Sequence, residues 1–260
     1  MKYLKIFEDF NDINSICREF DITNYTINND ESIDVDGDVH LTNKGLNKLP
    51  LKFRNVSGDF ICQHNKLTSL EGSPQSVGGS FHCQYNKLTS LEGGPQSVGG
   101  DFYCHNNQLT SLEGAPQSVG GDFYCYDNQL TSLEGSPQSV DGSFYCGNNQ
   151  LTSLEGSPQS VGGRFYCGNN KLYKIDAVNN NSNQLTSLEG SPLSIGGEFD
   201  CSDTPVESIW NLFGDYSKVE LFNDYDPVRD GGVIILDRLN GFLEDIGKPK
   251  VTKVEGYKCI

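Results

Sequence analysis

Six cysteines, Cys62, Cys83, Cys104, Cys125, Cys146 and Cys167, stand 21 residues apart, and a fixed period of that length dictates a stacked-repeat architecture before any local propensity is considered. Around each lies the phrase VGGxFxCxxNxLTSLEGxPQS. Phe60, Phe81, Phe102, Phe123, Phe144 and Phe165 come two residues before the cysteine, and Asn65, Asn86, Asn107, Asn128, Asn149 and Asn170 three residues after it. Leu67, Leu88, Leu109, Leu130, Leu151 and Leu172 follow. A degenerate copy with Val39, Leu41, Leu46 and Leu49 precedes them, and a last one holds Phe199, Cys201, Val206 and Ile209. The step from Cys167 to Cys201 is 34 residues, which reads as 21 plus a short coil of 13. Val178, Asn180, Asn183 and Leu185 are then in register and the outer arc is missing.

The F-x-C triplet alternates, so a short strand with Phe and Cys inward and the middle residue toward solvent is predicted. The asparagine turns the chain and satisfies backbone groups of adjacent coils. Gly, Pro and Ser build the outer arc as turns and extended chain. No coil buries its apolar face alone, so stacking supplies the stability and the ends need caps.

The phrase resembles the bacterial leucine-rich repeat, LxLxxNxLxxL, and most closely the short repeats of secreted bacterial effectors, with Phe for the first Leu and Cys for the second. It is also similar to repeat proteins of bacteriophages and bacteria that carry SLEGxPQSVGG coils. The resemblance covers about residues 35–210. It implies a curved solenoid, mainly β, with a parallel sheet of short strands on its concave side, and a role in protein recognition. Effectors of this kind often add a catalytic ubiquitin-ligase domain with a nucleophilic cysteine, for which the roughly 50 residues after the repeats are too few.

The expected organisation is a small N-terminal cap at 1–34, a solenoid at 35–210 of about eight coils plus the short coil near 176–188, and a C-terminal cap at 211–260. Ile13, Ile16, Cys17 and Phe20 have helical spacing with Asn11 as a cap, and Tyr25 and Ile27 suggest a strand. Ile235, Leu236, Leu239, Phe242, Leu243 and Ile246 make a second helical stripe, closed by Gly247 and Pro249. Val251 to Tyr257 alternates as a strand.

Charge narrows the partners. The net charge is −16, densest in residues 1–40 with 10 acids against 3 bases, which disfavours nucleic acid and anionic membrane. The odd count of 9 cysteines, seven of them at one repeat position, argues for free thiols and a cytoplasmic, reducing setting. Met1 to Asp9 does not read as a secretory signal. Leu41 in the cysteine place of the first coil marks that row as core rather than a metal site.

The middle strand position reads Ile61, His82, Tyr103, Tyr124, Tyr145, Tyr166 and Asp200, a tyrosine ladder facing solvent. The next positions vary most between coils: Gln63 and His64, Gln84 and Tyr85, His105 and Asn106, Tyr126 and Asp127, then Gly147-Asn148 and Gly168-Asn169. The expected contact surface is therefore His82, Tyr85, Tyr103, His105, Tyr124, Tyr126, Asp127, Tyr145 and Tyr166, weighted toward the N-terminal coils. Glu71, Glu92, Glu113, Glu134, Glu155 and Glu189 form a second ladder, expected to be held by backbone N–H groups of the following glycine turn. No catalytic or metal motif, and no cofactor site, is found. The expected function is a non-catalytic adaptor or inhibitor of a host protein. The rivals are an acidic mimic that blocks a nucleic-acid-binding protein, and capture of a glycan or small ligand by the tyrosines.

Overall fold

A computed structural model describes residues 10–170, 185, 187–229 and 233–260. Within them the chain winds into a β-rich repeat solenoid in which each coil lays down two short strands, one in each of two parallel sheets. The first sheet has eight strands among the described residues, running from Val39–His40 through Phe60–Ile61, Phe81–His82, Phe102–Tyr103, Phe123–Tyr124, Phe144–Tyr145 and Phe165–Tyr166 to Phe199–Asp200. Phenylalanine pairs with phenylalanine at every rung from Phe60 to Phe199. The second sheet, which the sequence reading treated only as an outer arc, stacks Ser76–Val77, Ser97–Val98, Ser118–Val119, Ser139–Val140, Ser160–Val161 and Ser194–Ile195. Its amides point the other way along the stack. Phe123 N–H donates forward to Ser143 O (2.8 Å), whereas Gly120 N–H donates back to Val98 O (3.1 Å).

The rows that set the period fill the space between the sheets. Phe102, Phe123 and Phe144 have no exposed surface, and their rings stack at centroid distances of 5.1 and 5.3 Å. The repeat cysteines are buried beside them; Cys104 Sγ donates to Tyr124 O of the next coil (3.4 Å). The asparagine row does what its position predicts. Asn149 Nδ2 donates to Cys125 O (3.1 Å) and Cys146 O (3.0 Å), and its Oδ1 accepts from Leu130 N–H (3.0 Å), so one side chain satisfies three buried backbone groups in two coils. Gly135 is needed for a different reason: its φ is +85°, and a Cβ there would lie 2.5 Å from Glu113 N.

The short coil expected near 176–188 falls mostly on residues outside the described ones. Phe165 pairs directly with Phe199 and Ser160 with Ser194. Leu185, fully buried, stands in a leucine place: its carbonyl accepts Val206 N–H (3.1 Å), as Leu130 O accepts Gln150 N–H (2.8 Å). Leu172, Val178, Asn180 and Asn183 themselves fall outside the described residues.

At the N-terminal end helix α1 (Phe10–Glu19) buries Ile13, Ile16 and Cys17. Tyr25–Ile27 forms the expected strand, antiparallel to Ile33–Val35, which continues the Ser–Val sheet across the 34/35 boundary. At the other end Val206 and Ile209 are buried as expected, but on helix α2 (Val206–Phe213). Helices α3 (Val219–Tyr225) and α4 (Leu236–Asp245) follow, the last burying Leu239, Phe242 and Leu243. Val251–Tyr257 is not a strand. Asn240 takes both backbone groups of Val251 with its side chain (2.7 and 2.9 Å), Gly256 turns the chain at φ +81°, and the strand is Lys258–Cys259, parallel to Val233–Ile234. No helix among the described residues is long and apolar enough to cross a membrane.

Candidate partner-binding face

Because side chains alternate along the Phe–Cys strands, every second residue of that sheet faces out, and the register places equivalent residues one above another. The row between Phe and Cys is a stack of rings. His82 lies on Tyr103 (4.4 Å, 16° between planes), Tyr103 on Tyr124 (4.7 Å, 3°) and Tyr124 on Tyr145 (4.8 Å, 1°). A second row runs beside it, two residues on. His105 lies on Tyr126 (4.4 Å, 12°) and meets Tyr103 and Tyr124 edge to face (6.1 and 6.3 Å). The predicted residues of coils three and four therefore form one two-row aromatic surface.

The corner after the second row is a left-handed turn in every coil. Asn43, Asn106, Asp127, Asn148, Asn169 and Asp203 occupy it with φ between +51 and +56°, as do His64 (+55°) and Tyr85 (+56°). Asparagine, aspartate and histidine tolerate this conformation, whereas a tyrosine adopts it rarely and at a cost. His64 and Tyr85 nevertheless stack on each other (4.4 Å, 7°), and Tyr85 meets His105 edge to face (5.5 Å). Tyr85 is 44% exposed, the largest exposed ring on this face. The sequence points to Tyr85 by its bulk and leaves out His64; the positive φ that makes Tyr85 unusual is not readable from the repeat. Asp127 is tied into the corner row by Asn148 (2.9 Å) and Asn106 (3.4 Å).

Tyr166 leaves the stack. Its ring is tilted 47° from Tyr145 and lies over the two glycines of the second row: a Cβ on Gly147 would come within 2.3 Å of it, and one on Gly168 within 3.0 Å. Its hydroxyl accepts from Asn169 Nδ2 (3.0 Å), and Arg164 sits above the ring at 5.7 Å. Arg164 also pairs with Asp200 and with Glu198 (3.5 Å). The Gly-Asn coils are thus the seat of a folded-down tyrosine that ends the strip.

The residue before each phenylalanine, not singled out from the sequence although its repeat position was readable, closes the other side. Asp101 Oδ1 accepts Asp122 N–H (2.7 Å) and its Oδ2 accepts the Tyr103 hydroxyl (2.7 Å). Asp122 does the same for Ser143 N–H (2.6 Å) and the Tyr124 hydroxyl (2.7 Å). Gly121 leaves room for this, since a Cβ there would touch Asp101 Oδ1. Burial, with those carboxylates beside them, holds the Tyr103 and Tyr124 hydroxyls well above the ordinary phenol range. Burial pushes the His105 imidazole down to about 4 and lowers His82 as well. Near neutral pH the His82, Tyr103, His105 and Tyr124 rings are therefore uncharged.

The two other ladders face elsewhere. The cysteine thiols are buried, and burial raises their pKa values. The glutamates are exposed, but not held as expected: among the described residues their carboxylates accept no hydrogen bond. It is their backbone that is held, Glu92 N–H by Ser90 Oγ (3.1 Å) and Glu113 O by Leu91 N–H (3.1 Å).

The arrangement can do non-covalent recognition: ring edges, hydroxyl oxygens and carboxylates on a rigid sheet. Fold and face together define a parallel-β repeat solenoid with one individualised side. Comparison with family models, with curated proteins and with solved structures gives no match.

Proposed function

We propose that the chain is a protein-binding module of leucine-rich-repeat type, which holds its partner on the aromatic strip between His64 and Tyr145. The observation that carries this is Tyr85, an exposed ring set in a left-handed corner that six other coils give to Asn or Asp and one to His. Strain of that kind, roughly 1–3 kcal/mol per residue, persists where something other than stability selects the side chain. Tyrosine suits a contact surface because it combines apolar area with a hydroxyl and few rotatable bonds. Similarity to phage and bacterial SLEGxPQSVGG coils extends the reading to an adaptor or inhibitor of a host protein. Free thiols throughout favour a reducing compartment for it. Glycan capture is the weaker reading, because a sugar packs on a ring face, and the faces in this strip are covered by neighbouring rings only 4.4–4.8 Å away.

The test is an affinity pull-down from bacterial lysate with wild type, a Tyr103→Ala/Tyr124→Ala/Tyr145→Ala variant, and a Ser97→Lys/Ser118→Lys variant on the opposite sheet, all confirmed folded by circular dichroism. A protein retained by the wild type and the serine variant and lost by the tyrosine variant is the expected result. Equal retention by all three would place binding off the strip and overturn the proposal, as would no specific retention by the wild type.

A further inference from the structure

We infer that the strip recognises arginine side chains of its protein partner, with the guanidinium seated along the carboxylate edge formed by Asp101 and Asp122. The inference rests on the proposed binding face and adds the chemistry of what fills it.

Three independent observations converge. The first is charge: between residues 55 and 163 the chain carries 10 carboxylates and 2 lysines, and both lysines, Lys66 and Lys87, lie beyond the corner, outside the strip. The second is hydrogen-bond polarity. The hydroxyl protons of Tyr103 and Tyr124 are spent on Asp101 and Asp122, so hydroxyl and carboxylate oxygens retain only lone pairs. In the second row, on the far side of the tyrosines from those carboxylates, Gln84 Oε1 and His105 Nδ1 are buried without a protein partner. A surface of acceptors is matched by a group that only donates, and guanidinium carries five N–H donors and no acceptor. Adjacent coils repeat at about 4.8 Å, so the fork of one guanidinium can address carboxylates of successive coils.

The third is an internal precedent. In the position that Asp101 and Asp122 hold in their own coils, the sixth coil has Arg164. Its guanidinium lies over the Tyr166 ring and binds Asp200 and Glu198 of the next coil. The same face thus already binds one arginine by tyrosine and carboxylate together. In coils three and four the tyrosines and carboxylates recur and the arginine is missing from the chain itself. Lysine would satisfy the charge but lacks the planar fork.

Fluorescence anisotropy of labelled hexa-arginine and hexalysine peptides against the full chain at about 0.15 M salt tests this. Hexa-arginine is expected to bind at least about fivefold tighter than hexalysine. Asp101→Asn/Asp122→Asn should weaken hexa-arginine by about tenfold or more, while Glu113→Gln/Glu134→Gln, with the same charge change on the exposed ladder, stays within about twofold. Tyr103→Phe/Tyr124→Phe, which keeps the stack and removes two acceptors, gives a second reading should the aspartate variant unfold, and is expected to weaken hexa-arginine by about threefold. No binding by the wild type, equal affinity for both peptides, or equal losses in the aspartate and glutamate variants would overturn the inference. Should the tyrosine triple variant lose its captured protein while hexa-arginine fails to bind the wild type, the strip remains a protein site and only the arginine chemistry falls.

Discussion

The two sheets share one winding and one core, yet their outer faces differ. Along the Ser–Val sheet the outward residue is serine in coil after coil, Ser76, Ser97, Ser118, Ser139, Ser160 and Ser194. Along the Phe–Cys sheet the equivalent row passes from Ile61 and His82 through four tyrosines to Asp200, and the row beside it from Gln63 to Gly168. Drift alone would have marked both faces. A difference confined to one of them separates what the scaffold demands from what is free to be used.

The comparison is broken most severely from inside. Phe123 stacks on Phe102 and Phe144 together, so Phe123→Ala opens the interface on both sides of one coil. In a solenoid each coil is held only by its neighbours. A loss of about 3–5 kcal/mol is expected, read as a fall in the urea midpoint. Val119→Ala, under the Ser–Val sheet of the same coil, removes two methyl-sized groups and should cost well under half as much. Equal losses would mean that the sheets carry the coil equally and that the phenylalanine row is not its spine.

A smaller effect of opposite sign is expected at the corner. Tyr85→Asn installs the residue that Asn106 and Asn148 use at the same φ and relieves about 1–2 kcal/mol of left-handed strain, against about 0.5–1.5 kcal/mol for the lost stack on His64. Thermal stability should hold or rise while retention of the protein partner falls. Asn106→Tyr, the reverse change one coil on, should lower the melting temperature. If Tyr85→Asn is the more damaging of the two, Tyr85 is scaffold and the argument from strain collapses.

The repeating rows were legible because each is confirmed at every rung: a Phe, Cys, Asn or Leu recurring at 21 residues can occupy only one radial position. Signals present once, or in two equivalent places, were not. Asn170–Leu172 and Asn183–Leu185 are equally good starts of a leucine row by spacing, and only the hydrogen bond that Leu185 O accepts from Val206 N–H assigns Leu185 to it. Val206 and Ile209 fit the coil spacing and the helix spacing alike, which hid α2. Each Ser–Val strand carries a single inward residue followed by Gly or Asp and then Gly, whereas the Phe–Cys strand is flanked by two, so no alternation registers there and the second sheet passed as an arc. Within the strip the tyrosine row was readable, whereas the descent of Tyr166 onto Gly147 and Gly168 depends on side-chain space that no spacing rule encodes.

The least of the expected effects concerns the neutral histidines of the strip. Burial holds His105 at about 4 in the folded chain against an ordinary value of about 6.5. Between those values the unfolded chain takes up a proton that the folded chain refuses, so folding is penalised as pH falls from about 6.5 toward 4 and is untouched by this residue above that window. His82, lowered for the same reason, acts with the same sign. The aspartates whose carboxyls are lowered by hydrogen bonds and ion pairs, Asp34 with Arg54 and Asp200 with Ser202 and Arg164, also cost stability on acidification, but at lower pH, where carboxylates take up protons. Melting temperatures at pH 7.5 and pH 5 should therefore differ, wild type being less stable at pH 5, and His105→Gln should flatten the difference. An unchanged slope in that variant would mean that the His105 ring is solvated in the folded state, and that the second aromatic row is looser than its stack on Tyr126 implies.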